Sequence, residues 1–214
     1  GIVISLADSG FPVTVVETSQ EAVDNGMVEI AKTYDGMIKR GRIDEAEKDK
    51  RLARITGAVG FAALGAADLV IEAAFEDLDV KKQIFGELDA IAKPGAILAT
   101  NTSYMDIDAI AAATSRPEDV IGLHYFVPAN AMRLLEVVRP EKSAPDAIAT
   151  GMTLAKKTSK IGVLARVCHG FIANRSRLPL VREATFLVEE GASPAQVDAV
   201  LPGLGMPMGP LAFS

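Results

Sequence analysis

Residues 68–100 read DLVIEAAFEDLDVKKQIFGELDAIAKPGAILAT and give the clearest indication of the fold class. It opens with an apolar run over residues 68–74, which predicts a buried strand. A helical pattern follows over residues 80–92, and Lys93-Pro94-Gly95 predicts a turn into a second apolar strand over residues 96–100. Strand, helix and strand in this order predict two parallel strands joined by a crossover helix.

The same alternation extends outward in both directions. We expect four further strands at 13–17, 120–124, 134–138 and 161–164, and further helices at about 2–9, 18–40, 44–54, 106–113 and 144–157. Thr18 and Glu21 have capping-box spacing, which predicts the start of the helix over 18–40. Residues 1–166 are therefore predicted to form an α/β domain, a mostly parallel sheet with helices on both faces. Residues 167–214 are predicted to begin an all-α domain, with helices over 171–190 and from Ser193 onward.

The composition excludes several classes of protein. The chain has 214 residues, 49% of them hydrophobic and 23% charged, which is typical of a folded globular protein. A formal charge of -6 argues against a nucleic-acid partner, and no apolar run is long enough to predict a membrane span. Cys168 is the single cysteine, which excludes an intrachain disulfide and a zinc finger. We therefore expect a cytoplasmic protein without a metal site.

Glu17 ends the predicted strand over residues 13–17. In Rossmann-type dinucleotide-binding units, an acid at this place accepts hydrogen bonds from the ribose hydroxyls of the adenosine. Its charge would repel a 2′-phosphate, so the position favours NAD over NADP. The alternative is an ordinary exposed glutamate at the end of a strand.

The glycine loop that normally precedes such a unit is absent from the 214 residues. Gly1-Ile2 is consistent with its trailing edge, and both ends of the sequence fall within predicted structure. We therefore expect the first strand to be missing, with an open gap or edge in the sheet. Without the loop that receives the pyrophosphate, the 214-residue chain alone is expected not to bind NAD measurably.

His124 and Glu136 are polar residues in apolar strands. His124 ends the predicted strand over residues 120–124, and Glu136 is flanked by two apolar residues on each side within the strand over 134–138. A buried carboxylate needs a partner, and His124 is the natural one if the two strands are neighbours. Glu136 would then fix the imidazole tautomer and make His124 a general base. The alternative is a structural histidine beside a half-exposed glutamate.

Two neutral polar residues extend this set. Ser103 follows a strand end, at the carboxyl edge where ligands bind to open α/β sheets. Asn174 begins the first helix of the second domain. Both side chains are able to orient a hydroxyl or a carbonyl group of a ligand. The alternatives are a turn or cap residue at Ser103 and a solvent-facing helix residue at Asn174.

The motifs around these four residues together resemble the L-3-hydroxyacyl-CoA dehydrogenase family. They are Asn101-Thr-Ser103, His124-x-Phe-x-Pro128, Leu135-Glu-Val-Val138, Gly170-Phe-Ile-x-Asn-Arg175 and Gly205-Met-Pro-Met-Gly-Pro210. The resemblance covers nearly the whole chain. It is closest to the dehydrogenase part of bacterial multifunctional fatty-acid oxidation enzymes or to their free-standing relatives.

The resemblance implies reversible hydride transfer between a 3-hydroxyacyl-CoA and NAD. It implies that His124 is the general base, that Glu136 orients it, and that Ser103 and Asn174 contact the substrate. The positions that it places near NAD are Glu17, Glu76, Lys81, Asn101 and Ser103. It also implies a homodimer or a part of a multifunctional enzyme.

Some features depart from the family or leave alternatives open. Val127 stands where the family often has Ser or Asn, and Pro179 is expected to kink or break the helix after Asn174. Lys32 and Lys39 lie on the helix over 18–40 and are assigned to the CoA phosphates; the alternative is a solvated helix surface.

The alternative functions are a CoA-independent 3-hydroxy-acid dehydrogenase and a catalytically lapsed NAD-binding relative.

Overall fold

The alternation of strands and helices predicted for residues 1–166 is present in the computed structural model, which describes residues 1–212. The strands are β1 Val13–Glu17, β2 Ile55–Val59, β3 Leu69–Glu72, β4 Ile97–Thr100, β5 Val120–Tyr125, β6 Leu134–Arg139 and β7 Ile161–Arg166. The helices are α1 Ile2–Asp8, α2 Gln20–Lys39, α3 Glu45–Leu52, α4 Leu78–Ile91, α5 Ile107–Ala111, α6 Pro145–Lys157, α7 Ala173–Glu189 and α8 Pro194–Gly203. The chain divides into a first unit, Gly1–Val167, and a second unit, Cys168–Ser214.

The strands form two sheets. Five of them make one sheet in the order β3-β4-β5-β6-β7, and β1 pairs with β2 in a second sheet. Among the strands of the described residues, β5 and β6 pair antiparallel and the other pairs are parallel. Within residues 1–212 the backbone ladder does not pass from β1 to β3. The sheet is therefore mostly parallel, as predicted, but divided.

Helices cover both faces of the five-stranded sheet. A Cβ atom at Gly122 of β5 would lie 2.5 Å from Ile107 of α5. A Cβ atom at Gly151 of α6 would lie 3.1 Å from Ile121 and 3.4 Å from Leu123, the neighbours of Gly122 in the strand. Because successive strand residues point to opposite faces, α5 and α6 lie on opposite sides of β5. Such double cover explains why β5 is buried along its whole length.

The sequence pattern does not predict β2. Its sequence, ITGAV, has no continuous apolar run, and a glycine inside a strand weakens the strand signal. Gly57 is required by packing, because a Cβ atom there would lie 2.3 Å from Cγ1 of Val23 in α2. β2 is nevertheless paired with β1 along all five residues, including Glu17 opposite Val59.

The capping residues in the sequence predict the first residue of some helices but not of others. The predicted Thr18–Glu21 capping box is wrong, since Ser19 caps α2 by accepting a 3.2 Å hydrogen bond from the Ala22 amide. Serine and threonine are both good N-caps, so spacing alone does not choose between neighbours. In the second unit, Ser193 caps α8 within a complete capping box.

Helix α7 continues through Pro179. This proline therefore does not break the helix. Proline removes one backbone donor, and the hydrogen bonds of the neighbouring turns maintain the helix. Within residues 1–212, no helix has the length and apolar character needed to cross a membrane.

Candidate functional site

His124 and Glu136 form a buried pair in the five-stranded sheet. They lie directly opposite each other in the antiparallel register of β5 and β6. Nδ1 of His124 is 2.7 Å from Oε2 of Glu136, and the two residues are 3% and 1% exposed. The strand pairing itself brings the two side chains to one face of the sheet. The contact predicted from sequence is therefore present.

The chemistry of the pair follows from which ring nitrogen is used. A carboxylate accepts hydrogen bonds, so Glu136 favours the tautomer in which Nδ1 of His124 carries the proton. In this tautomer Nε2 is the basic nitrogen. The ring of Phe126 packs against the imidazole, with centroids 4.4 Å apart at an angle of 50°. The imidazole is thus oriented by a carboxylate and by an aromatic ring.

Asn101 connects the end of β4 to the end of β5. Its Oδ1 accepts a 2.8 Å hydrogen bond from the amide of Tyr125, the residue after His124. The backbone N–H of Asn101 donates a 2.8 Å hydrogen bond to the backbone carbonyl of Glu72, at the end of β3. Because Oδ1 is engaged, the side chain offers a ligand the donors of Nδ2.

Glu76 holds the loop that carries Ser103. Its Oε1 accepts hydrogen bonds from the hydroxyl of Thr102 and, over 2.9 Å, from the amide of Ser103. Its Oε2 lies 3.4 Å from Nζ of Lys81. Partial desolvation raises the pKa of Glu76, but the two hydrogen bonds and the charge of Lys81 outweigh it and hold this pKa below its usual value. Glu76 is therefore an ionised acceptor at this edge of the sheet.

Glu72, which sequence reasoning missed, lies at the centre of this cluster. Its carboxylate contacts Nζ of Lys81 at 2.9 and 3.1 Å, and the side chains of Glu72 and Lys81 are 2% and 1% exposed. The signal that could have found it is the one that identified Glu136, an acid inside an apolar strand. The ammonium group of Lys81, a residue expected near the cofactor, is enclosed between the carboxylates of Glu72 and Glu76.

The remaining predicted residues are carried by other elements of the chain. Glu17 is exposed at the carboxyl end of β1. Lys32 and Lys39 are exposed on α2, and Lys32 forms a 2.6 Å surface ion pair with Glu29. Asn174 lies in the first turn of α7, in the second unit. The structure thus brings together His124 with Glu136, and Ser103 with Glu76 and Lys81.

Comparison with protein families gives two matches along the chain. Residues 1–168 match the NAD binding domain of 3-hydroxyacyl-CoA dehydrogenase, and residues 170–214 match the C-terminal domain of the same family.

Individual relatives agree with these matches. The human peroxisomal bifunctional enzyme is 45% identical over 100% of this chain, and the fatty acid oxidation complex subunit alpha of Psychrobacter cryohalolentis is 38% identical over 98%. The chain spans 29% of the length of each. The crystal structure of (S)-3-hydroxybutyryl-CoA dehydrogenase from Ralstonia eutropha is 36% identical, with a TM-score of 0.94 over 99% of this chain and 76% of that one.

Proposed function

The chain belongs to the 3-hydroxyacyl-CoA dehydrogenase family, and from this premise we propose that the native protein reversibly oxidises (S)-3-hydroxyacyl-CoA to 3-ketoacyl-CoA with NAD. The observation that carries the proposal is the buried contact between His124 and Glu136. The test is oxidation of NADH by the native protein with acetoacetyl-CoA as substrate. Steady turnover is the expected result, and its absence at saturating substrate would exclude this reaction.

The pair supplies the base that alcohol oxidation requires. NAD, when bound, accepts the hydride that leaves C3 of the substrate. The C3 carbonyl forms only as the hydroxyl proton departs, so a base must take that proton. Nε2 of His124 takes it in our proposal, and Glu136 stabilises the imidazolium that results. In the reverse direction the same nitrogen returns the proton to the oxygen.

Ser103 and Asn174 are each assigned to contacts with the substrate in this proposal. Both are neutral hydrogen-bonding residues, suited to the reacting oxygen or the thioester region of an acyl-CoA. The amide of Ser103 is held by Glu76, which supports a fixed position for its side chain. We assign Ser103 to the boundary between cofactor and substrate.

The residues at the carboxyl ends of β1, β3 and β4 fit NAD. The exposed carboxylate of Glu17 suits ribose hydroxyl groups, which are donors. Asn101 offers amide donors from Nδ2, and Glu76 offers an ionised carboxylate. We assign Glu17, Asn101, Glu76, Lys81 and Ser103 to the cofactor side of the site.

Replacing Glu17 by alanine is expected to narrow the preference for NADH over NADPH. The carboxylate repels the 2′-phosphate of NADPH and accepts hydrogen bonds from the ribose of NADH. Its loss is therefore expected to improve the use of NADPH and to weaken the use of NADH. The measurement is the ratio of kcat/KM for NADH and NADPH. Equal use of both cofactors by the parent protein would show that Glu17 does not select the cofactor.

We assign the CoA phosphates to the exposed face of α2 that carries Lys32 and Lys39. The two lysines are seven residues apart, so they lie on the same side of the helix. An ammonium group on a flexible stem suits a phosphate as a point charge. The ion pair of Lys32 with Glu29 is exposed and therefore weak enough to exchange for a phosphate.

A variant with both Lys32→Ala and Lys39→Ala is expected to raise the KM for acetoacetyl-CoA and to leave the KM for NADH unchanged. Surface charges act mainly on the encounter with a charged ligand, so the effect is expected to diminish at high salt. A matched control is Lys50→Ala, on α3, since Lys50 is likewise exposed and paired with a glutamate. An acyl-CoA KM that equals that of the parent would assign these lysines to the solvated surface.

Two other functions would use the same fold. A CoA-independent 3-hydroxy-acid dehydrogenase would turn over free acids as well as thioesters, and saturation kinetics with both substrate classes separate it from our proposal. A lapsed NAD-binding relative would bind NADH without turnover. The intact pair of His124 and Glu136 argues against the second alternative.

The cellular setting of the reaction is also part of the proposal. We place the protein in fatty-acid β-oxidation, in the cytoplasm, either as a homodimer or as a part of a multifunctional enzyme. The long curated relatives support the multifunctional form. The peroxisomal relatives make an organelle the alternative location, which cell fractionation distinguishes.

A further inference from the structure

Glu72 is a buried carboxylate that the proposed reaction does not use directly. It ends β3 and accepts four hydrogen bonds, at 2.6 Å from the amide of Ala74, at 2.7 Å from the hydroxyl of Thr100, and at 2.9 and 3.1 Å from Nζ of Lys81. A carboxylate with this many donors is held in a single orientation. Glu72 thereby fixes the position of the ammonium group of Lys81.

Lys81 passes this constraint to Glu76. Its side chain is 1% exposed, and Nζ lies between Glu72 and Oε2 of Glu76, 3.4 Å away. With one oxygen facing Lys81, Glu76 directs the other to the amide of Ser103 and the hydroxyl of Thr102. A continuous series of polar contacts therefore joins the end of β3 to the loop that follows β4.

Removal of the charge of Glu72 would disturb the contact between Glu76 and Ser103 at the other end of this series. A buried ammonium group that loses its carboxylate partner is strongly destabilised unless another anion moves to it. The acid closest to Lys81 after Glu72 is Glu76, whose Oε1 is already bound to the loop. A shift of Glu76 toward Lys81 would release the backbone of Ser103.

We propose that Glu72 is a positioning residue, which acts through Lys81 and Glu76 to set the place of Ser103 and of the cofactor-facing loop over residues 101–103. The proposal rests on the function proposed above, because it assigns that loop to NAD. Lys81 is part of the same series of polar contacts, since its ammonium group is enclosed between the carboxylates of Glu72 and Glu76. Glu76 is the member of the series that faces the ligand edge.

The test is the affinity for NADH of the native protein that carries Glu72→Gln, compared with the unchanged native protein. Glutamine keeps the size of the side chain and removes its charge. We expect the Kd for NADH, measured by fluorescence titration without substrate, to rise about tenfold, the effect of one lost charge-assisted hydrogen bond. The KM for NADH is expected to rise in parallel.

Asp68→Asn is a matched control on the same strand segment. Asp68 lies at the opposite end of β3, 95% exposed, and pairs with Lys93 at 2.6 Å. This variant makes the same acid-to-amide change and is expected to bind NADH as the parent does. A second variant, Thr100→Val, keeps every charge and removes one donor to Glu72, together with the acceptor that Oγ1 of Thr100 offers to the amide of Thr102 at 3.3 Å. It is expected to weaken NADH binding in the same direction, by a smaller factor.

The outcomes separate the two proposals. If Glu72→Gln lowers the melting temperature but its folded fraction binds NADH with the parental Kd, Glu72 is only structural and the inference is overturned. If Thr100→Val folds normally and also keeps the parental Kd, the same conclusion holds without Glu72→Gln. If the parent binds NADH but does not turn over acetoacetyl-CoA, the proposed reaction fails while the titration still decides the role of Glu72.

Discussion

The His124→Gln variant is expected to lose about 10²–10⁴-fold in kcat, the usual contribution of a general base. Glutamine has no nitrogen that accepts a proton near neutral pH, so the hydroxyl proton of the substrate has no acceptor in the site. The Kd for NADH is expected to stay near the parental value, because the contacts of His124 with Glu136 and Phe126 involve no residue assigned to the cofactor. Steady-state kinetics and NADH titration measure both quantities.

His169→Gln is the matched control for this variant, because His169 is the other histidine of the chain. The same substitution there is expected to leave kcat within a few-fold of the parent. A His124→Gln variant that is folded and retains parental turnover would show that His124 is not the base. It would return His124 to a structural role within β5.

The central strands could be predicted from the sequence because they are covered on both faces. Double burial makes a strand a continuous apolar run, and β4 and β5 have such runs. The strand β2 lacks this signal because Gly57 makes room for Val23 of α2, a contact between residues far apart in sequence. The formation of β2 therefore depends on packing between distant residues, which the local sequence pattern does not encode.

The pair of His124 and Glu136 could be predicted because an acid in an apolar strand requires a partner and the chain has two histidines. Their contact still depended on the antiparallel register of β5 and β6, which a local pattern does not specify. Glu72 carries the same signal but has no nearby motif, and its partner Lys81 lies on a helix. Sequence alone places Lys81 near the cofactor by resemblance and cannot show that its ammonium group is enclosed.

Glu136→Gln is expected to lower kcat almost as much as the loss of the base itself. An amide presents both a donor and an acceptor to Nδ1 of His124, so it no longer enforces the tautomer in which Nε2 is basic. The corresponding acid-to-amide change in hydrolytic triads costs about 10⁴ in kcat for this reason. The size of the side chain is kept, so the packing between β5 and β6 is expected to survive.

Glu141→Gln is the control for this substitution, since Glu141 is an exposed acid that follows the end of β6 at Arg139. It is expected to retain parental kcat and the parental melting temperature. Loss of activity in both variants would indicate a general effect of reduced negative charge.

The double variant His124→Gln with Glu136→Gln decides whether the two residues act as one unit. Glu136 acts only through the imidazole in our proposal, so removing it after His124 has gone is expected to cost little further activity. Independent roles would instead multiply the two losses. The measurement is kcat for the parent, both single variants and the double variant at saturating NADH and acetoacetyl-CoA. A double variant as slow as the product of the single effects would show that Glu136 contributes to the reaction by a route other than His124.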